Sequence, residues 1–345
     1  MAGIFTGPSY TSARAVLPSP FQISVSAGSS LLFVGTALDF ERGVVSSLFG
    51  RDGASVSITS YAHQDASRMH LCVVDVFVDN SGSVTAMTLD LEDAFNASDT
   101  PDILFEAVTP LPNSSCVFGR ISFTETNTAA RPGVGLCRTP VPRTLSVAAG
   151  ATARWAFVSS VWTTLDVSNS NPALAAAEEL RALSRSSPSD LLRWHEEAML
   201  ERWAGSIEVV GNDKMARLVN ASVWAILQSS RANRTDSVSP GGLGSNGYRG
   251  HVFWDFETYQ FPTLALFDPN AARGALQYRA DRLQAAQQNA RLWGNAGAQF
   301  PWESAFTGTE VAQNGGNAQH EIHISGDIAF ACWQYYVLSG DAPWL

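Results

Sequence analysis

The stretch NGYRGHVFWDFETYQF, from Asn246 to Phe261, sets Asp255 and Glu257 among Phe253, Trp254, Phe256, Tyr259 and Phe261. An ionised carboxylate is poorly solvated among rings, so these acids either serve a ligand or meet a local structural need. Two later stretches repeat the mixture: FPWESAFTGTE at 300–310, with Trp302 and Glu303, and HEIHISGD at 320–327, with His323 and Asp327. Aromatic faces pack on the C–H faces of sugar rings, while carboxylates and imidazoles hydrogen-bond to hydroxyls. The combination therefore suits a neutral, polar ligand such as a carbohydrate. The competing explanation is that Trp254, Trp302 and Trp333 are core between helices and the acids are charges at helix starts. Residue types alone leave the two open.

Other motif matches carry less. Gly242, Gly244 and Gly247 satisfy G-x-G-x-x-G, but a helix and a polar loop containing Pro240 precede them, and no strand–loop–helix unit surrounds them. His320 and His323 stand three apart beside Glu321, without a third ligand at metal-site spacing. WHEEAM at Trp194 lacks the second histidine of a metalloprotease helix, and no G-x-S-x-G elbow occurs. No cofactor or metal is expected.

Composition narrows the partners. With 22 Lys and Arg against 32 Asp and Glu, a formal net charge of −10 and no basic run, the chain is not expected to bind nucleic acid. No apolar run is long enough to cross a membrane, so no membrane partner is expected either. The first residues, MAGIFTGPSYTSAR, lack the basic and apolar regions of a signal peptide, which favours the cytoplasm over a lysosomal or secreted location. Sequons at Asn96, Asn113, Asn220 and Asn233 keep the compartment open, and the oligomeric state is not legible. Cys72, Cys116, Cys137 and Cys332 show no spacing typical of zinc sites or disulfide frameworks and are expected to be buried free thiols.

The texture of the chain changes once. From about Phe21 to Thr164, short alternating runs such as SVSITSYA, LCVVDVFVD and RWAFVSSVW are broken by Gly, Pro, Asn and Asp. That pattern predicts an antiparallel β-sandwich. From Pro172 the period lengthens. SPSDLLRWHEEAMLERW opens with Ser187, Pro188 and Asp190 as N-cap, N1 and N3, and places Leu192, Met199 and Trp203 on one face. Further helices are expected over NDKMARLVNASVWAILQSS, over DPNAARGALQYRADRLQAAQQNARLW from the Asp268 cap, and over GDIAFACWQYYVLSGD up to Gly340. The long loops between them hold most of the Trp and His.

The stretches SPGGLGSNGYRGHVFWDFE, FPWESAFTGTEV and HEIHISGDIAFACWQYYVLSGD resemble successive loops and helices of glycoside hydrolase family 65. The resemblance implies an α+β multidomain fold: a β-sandwich at 1–166, a helical linker at 167–206, and the first part of an (α/α)6 barrel at 207–345. AGIFTG, ARAVLPSP, TALDFERGVV and SYAHQDASRMHL are similar to the branch that removes glucose from the Glc-Gal unit on collagen hydroxylysine. An inverting α-glucoside hydrolase is thereby implied, with acid trehalase, disaccharide phosphorylase and a non-catalytic carbohydrate-binding paralogue as alternatives.

The resemblance also implies roles. Trp254 and Asp255 match the wall of the glucose subsite, with Asp255 binding hydroxyls and counted among this branch's catalytic carboxylates. Trp302, Glu303, His323 and Asp327 match other substrate-binding positions. Glu257 is expected to be a helix-start charge. Inversion needs an acid and a base roughly 6.5–9.5 Å apart. The family's acid falls in a Pro-Asp-Glu-Tyr-type motif that does not occur before Leu345, so the chain is expected to be an inactive fragment of a longer enzyme.

Overall fold

A computed structural model describes residues 3–26, 31–51, 53–107, 114–127, 130–167, 171–232, 234–312 and 315–345; Asn113 and Asn233 lie outside the described residues. In chain order the strands are β1 (Phe5–Thr6), β2 (Ala13–Arg14), β3 (Ile23–Ser26), β4 (Leu32–Asp39), β5 (Val44–Arg51), β6 (Ala54–Ala62), β7 (Leu71–Asp79), β8 (Met87–Asp93), β9 (Ile103–Ala107), β10 (Ser115–Ile121), β11 (Gly133–Arg138), β12 (Thr144–Val147) and β13 (Thr152–Thr163). The helices are α1 (Pro172–Ala182), α2 (Pro188–Arg202), α3 (Asp213–Leu227), α4 (Phe261–Phe267), α5 (Pro269–Ala280), α6 (Leu283–Leu292), α7 (Gly315–Ala318) and α8 (Ile324–Ser339). A large antiparallel, sheet-rich part is thus followed by helices. Two compact units divide the chain, one from residues 17–120 and 132–204, the other from 1–16, 121–131 and 205–345. The cut is not linear: two segments from within 1–166 belong to the helical unit.

In the first unit an eight-stranded antiparallel sheet runs β4-β5-β6-β7-β13-β11-β10-β9, and a three-stranded sheet runs β12-β8-β3. Strand β7 explains the packing, because LCVVDVFVD is apolar on both of its faces. Val74, Val76 and Val78 meet Met87, Leu89, Leu145 and Val147 of the small sheet. Leu71 and Val73 point the other way, to Ala176, Ala177 and Leu180 of α1 and Leu191 and Leu192 of α2. Period-2 alternation makes one strand serve two cores. The start of α1 approaches β11 so closely that a Cβ on Gly135 would sit 2.1 Å from the Ala173 nitrogen. Helix α2 begins as its sequence predicts, with Ser187 and Asp190 in a reciprocal capping box.

The cysteines depart from expectation. Cys116 and Cys137 stand opposite each other on β10 and β11 and are joined as a disulfide, while Cys72 and Cys332 are not disulfide-bonded. Strand register makes this pair, and linear spacing does not reveal register. Closing 21 residues of chain is worth about 3 kcal/mol in the chain-entropy account. Reduction, or Cys116→Ser with Cys137→Ser, should therefore lower the urea midpoint of this unit. An unchanged midpoint in dithiothreitol would show that the bridge adds no stability.

In the helical unit, α3 opens on Asn212, whose side chain caps Met215 N, and α5 opens on Asp268, which caps Ala271 N. The expected long helix 268–293 is two, since α5 ends at Ala280 and α6 begins at Leu283. Helix α8 closes on Gly340 in the left-handed conformation (φ 70°). It is apolar around its circumference: Ile324, Ile328, Ala331 and Tyr335 are buried, while Phe330, Trp333, Val337 and Leu338 are exposed. Among the described residues no helix is long and apolar enough to cross a membrane.

Candidate functional site

Three loop segments carry the sequence-predicted residues, and short β-bridges tie two of them. Val252 pairs with Ser304, and Ser304 pairs with Glu310, so the 250s and 300s run side by side. The N-terminal hairpin β1–β2 holds the approach to this bridge. Arg14 donates from Nη1 to the Gly242 carbonyl (2.7 Å) and from Nη2 to the Ser245 carbonyl (2.5 Å) and Asn246 Oδ1 (3.1 Å). Gly250 must be glycine, because its φ is +73° and a Cβ would lie 2.5 Å from that of Arg14. Tyr248 and Arg249 before it are also left-handed, at φ 53° and 56°. Such strain persists where surrounding contacts over-determine the backbone.

After the bridge the chain turns into a π-helical segment, Phe256–Gln260, that runs into α4. Pro262 lacks the N–H that would continue an α-helical ladder, and the Phe261 N–H instead reaches back to the Phe256 carbonyl. The segment sends its side chains to different places. Phe253 is buried and meets Trp302 edge-on, with centroids 6.2 Å apart. Trp254, half-buried, meets the His323 ring at 4.9 Å and 90°. Asp255, also half-buried, has no hydrogen-bond partner among the described residues.

Two groups of predicted residues result. Trp254 stands with His323, whose Nδ1 is 2.7 Å from Asp327 Oδ2 and whose Nε2 is 3.0 Å from Glu321 Oε2. The hydrogen bond to Asp327, with help from Glu321, holds the imidazole pKa above its ordinary value. His320 contacts the Gln319 side chain and shares nothing with His323. Trp302 and Glu303 form the second group, and their backbone N–H groups both donate to Glu310, to Oε2 (2.8 Å) and Oε1 (3.1 Å). Burial pushes the Glu310 carboxyl up, and its backbone hydrogen bonds counter this in part. Asp255 makes no polar contact with either group. Neither the cavity of about 930 Å³ beside β13 and α1 nor that of about 620 Å³ beside α6 is lined by any of the six predicted residues.

Glu257 corrects the expectation of a helix-start charge. It is 1% exposed and grips Arg279 of α5 through Oε1–Nε (2.7 Å) and Oε2–Nη2 (3.1 Å). A residue that far inside needs a counter-ion, and the macrodipole is the lesser influence. The residues that residue-type reasoning missed are the supports: buried His251, Ser12, Arg14 and Glu125, and half-buried Glu310. Their residue types alone carry no signal of that role.

Residues 221–345 match the glycosyl hydrolase family 65 central catalytic domain. Over 360 aligned positions the chain is 33% identical to protein-glucosylgalactosylhydroxylysine glucosidase of Danio rerio, covering 99% of this chain and 53% of that protein. Over residues 221–345 the chain is thus similar to glycoside hydrolase family 65. A kojibiose hydrolase of Flavobacterium johnsoniae is 39% identical over 158 residues, 46% of this chain and 23% of that one. Among solved structures, a putative kojibiose phosphorylase from the human microbiome has the same fold (TM-score 0.80, 17% identity) over 99% of this chain and 50% of that one. The chain spans about half the length of the hydroxylysine glucosidases and of the solved phosphorylase that it matches.

Proposed function

We propose that the whole protein is an inverting α-glucoside hydrolase that releases glucose from the Glc-Gal unit on hydroxylysine. The observation that carries this is similarity across nearly the whole chain to protein-glucosylgalactosylhydroxylysine glucosidases, including that of Dictyostelium discoideum, which is 29% identical over all of this chain. Trp254 offers a ring face to glucose and Asp255 an uncommitted carboxylate to its hydroxyls. Trp302, Glu303, His323 and Asp327 line further substrate contacts. A half-buried acid without a protein partner supports this role for Asp255, because a ligand hydroxyl would supply the hydrogen bond it lacks. The exposed rings of α8 fit a helix that further barrel helices cover, in keeping with the three-part division 1–166, 167–206 and 207–345. The Cys116–Cys137 disulfide favours an oxidising compartment and counts against the cytoplasm.

The test is a substrate panel on the whole protein: Glc-Gal-hydroxylysine, kojibiose, nigerose and trehalose, with and without phosphate. Phosphate-independent release of β-glucose from Glc-Gal-hydroxylysine is expected. Preference for kojibiose would favour the second reading, a kojibiose hydrolase, which the 39% identity over 158 residues supports. The 345-residue chain is expected to bind glucose. Asp255→Asn should weaken glucose binding roughly ten- to hundredfold, the worth of a charged hydrogen bond. Unchanged affinity removes Asp255 from the site.

A further inference from the structure

We propose that His251 is a positioning residue, which fixes the Glu303 carboxyl for a sugar hydroxyl from a seat on the Ser12 carbonyl. The proposal rests on the assignment of Glu303 to the substrate site. The His251 ring is fully buried between two oxygens, with Nε2 2.7 Å from the Ser12 carbonyl and Nδ1 2.7 Å from Glu303 Oε2. A carbonyl only accepts, so Nε2 carries a hydrogen and donates it. The short contact at Nδ1 then requires one proton shared between that nitrogen and Glu303. Turning the ring over would place carbon against both oxygens, so a single orientation is held. Phe5, with its ring centroid 6.2 Å away, helps keep water out and so strengthens both bonds.

Glu303 is held on three sides. Its N–H donates to Glu310 Oε1 (3.1 Å), its carbonyl accepts from Val311 N (3.2 Å), and one carboxylate oxygen is committed to His251. The other oxygen has no donor among the described residues, and the side chain is 19% exposed. One oxygen is anchored and one is offered, the arrangement a directional hydrogen bond to a ligand needs.

The seat is itself fixed, and by the same loop. Ser12 is fully buried, its N–H donates to the Ser9 carbonyl (2.9 Å), and its hydroxyl donates to Glu125 Oε2 (3.4 Å). Glu125 accepts from Phe306 N (2.8 Å), Thr307 N (3.1 Å) and the Thr307 hydroxyl. The path from Glu303 through His251, Ser12 and Glu125 therefore returns to the chain three residues after Glu303. The left-handed run Tyr248–Gly250 acquires a purpose here, since the His251 N–H closes its turn on the Tyr248 carbonyl (3.0 Å).

Two substitutions separate positioning from mere packing in the whole protein. His251→Asn keeps a donor near the Nδ1 position and should bind glucose within about threefold of the parent; His251→Gln keeps the Ser12 contact and should bind about tenfold more weakly. With Glu303→Ala in the background, His251→Gln should cost nothing further. A further tenfold loss in the double variant, or equal losses in the Asn and Gln variants, would overturn the proposal. Histidine 15N spectra decide the contact even where variants fold poorly or the parent binds no glucose. The His251 Nδ1 resonance should move in Glu303→Ala and stay in Asp255→Asn. A resonance indifferent to Glu303→Ala refutes the inference, whereas absent glucose binding with the expected resonance shift refutes the sugar-site assignment and not the bond.

Discussion

Glu257→Gln is expected to destabilise the helical unit by about 3–5 kcal/mol, because it strands a buried guanidinium. Arg279 is 1% exposed, and among the described residues its only acceptor besides Glu257 is the Phe253 carbonyl, reached from Nη2 (3.3 Å). Its Nη1 is buried without a partner, so the charge has no reserve of hydrogen bonds. Burial works against the guanidinium charge, but the adjacent Glu257 outweighs it and holds the pKa above its ordinary value. Removing the acid therefore leaves the full desolvation cost uncompensated. Glu257→Leu with Arg279→Met should cost much less than either single change, since it removes both charges together. Hydrogen exchange at the α5 amides reads the effect: protection should collapse in the single variants and largely survive in the double. Retained protection in Glu257→Gln would show that the ion pair contributes little. Glucose affinity should fall with stability, because the same pair anchors the π-helical segment directly behind Trp254 and Asp255.

That ion pair also marks where sequence legibility stops. The stretch HVFWDFE shows two acids among rings, but not that one is sealed against α5 while the other lacks a partner. The difference lies in where the π-helical segment aims each side chain, and its extra residue per turn has no periodic signature. Helix starts were legible because capping is local: Ser187 with Asp190, and Asp268 before Pro269, form as their spacing predicts. The break between α5 and α6 was not, since Ala280, Asp281 and Arg282 carry no glycine or proline to announce it.

The same contrast holds for the strands and the site. Alternation in LCVVDVFVD identifies β7, yet the pairing of Cys116 with Cys137 depends on register between β10 and β11. In the site, Trp254 meets the His323 ring, which Asp327 holds. His251, Ser12 and Glu125 were invisible because they act across long separations, 239 residues in the His251–Ser12 contact. Only the folded hairpin β1–β2 brings them together.

Acidification from pH 7 to 5 is expected to loosen α2 from the large sheet, with a loss of about 4 kcal/mol from two histidines. His63 and His195 are 2% and 0% exposed, with ring centroids 5.6 Å apart. His63 Nε2 donates to the Leu191 carbonyl (3.2 Å) and Nδ1 accepts from Asp65 N (3.2 Å). His195 Nε2 donates to the Arg42 carbonyl (2.9 Å) and Nδ1 accepts from Gln64 N (3.3 Å). A second proton on either ring must displace an N–H that already points at it. Burial pushes both down to about 4, and for His63 the neighbouring His195 adds to the fall. The unfolded chain takes up these protons near pH 6.5, so the stability is complete above that value and drains away towards pH 4, by about 1.4 kcal/mol per histidine per pH unit. Of the charges that face the pair, Asp65 and Glu196 temper the fall, whereas Arg68 and Arg42 add to it. Buried Asp75, whose carboxyl is raised by desolvation, opposes the loss. Urea midpoints at pH 7 and 5 measure the drop, and His63→Asn with His195→Gln should flatten it. A parent midpoint that does not move would show that the rings accept protons in place.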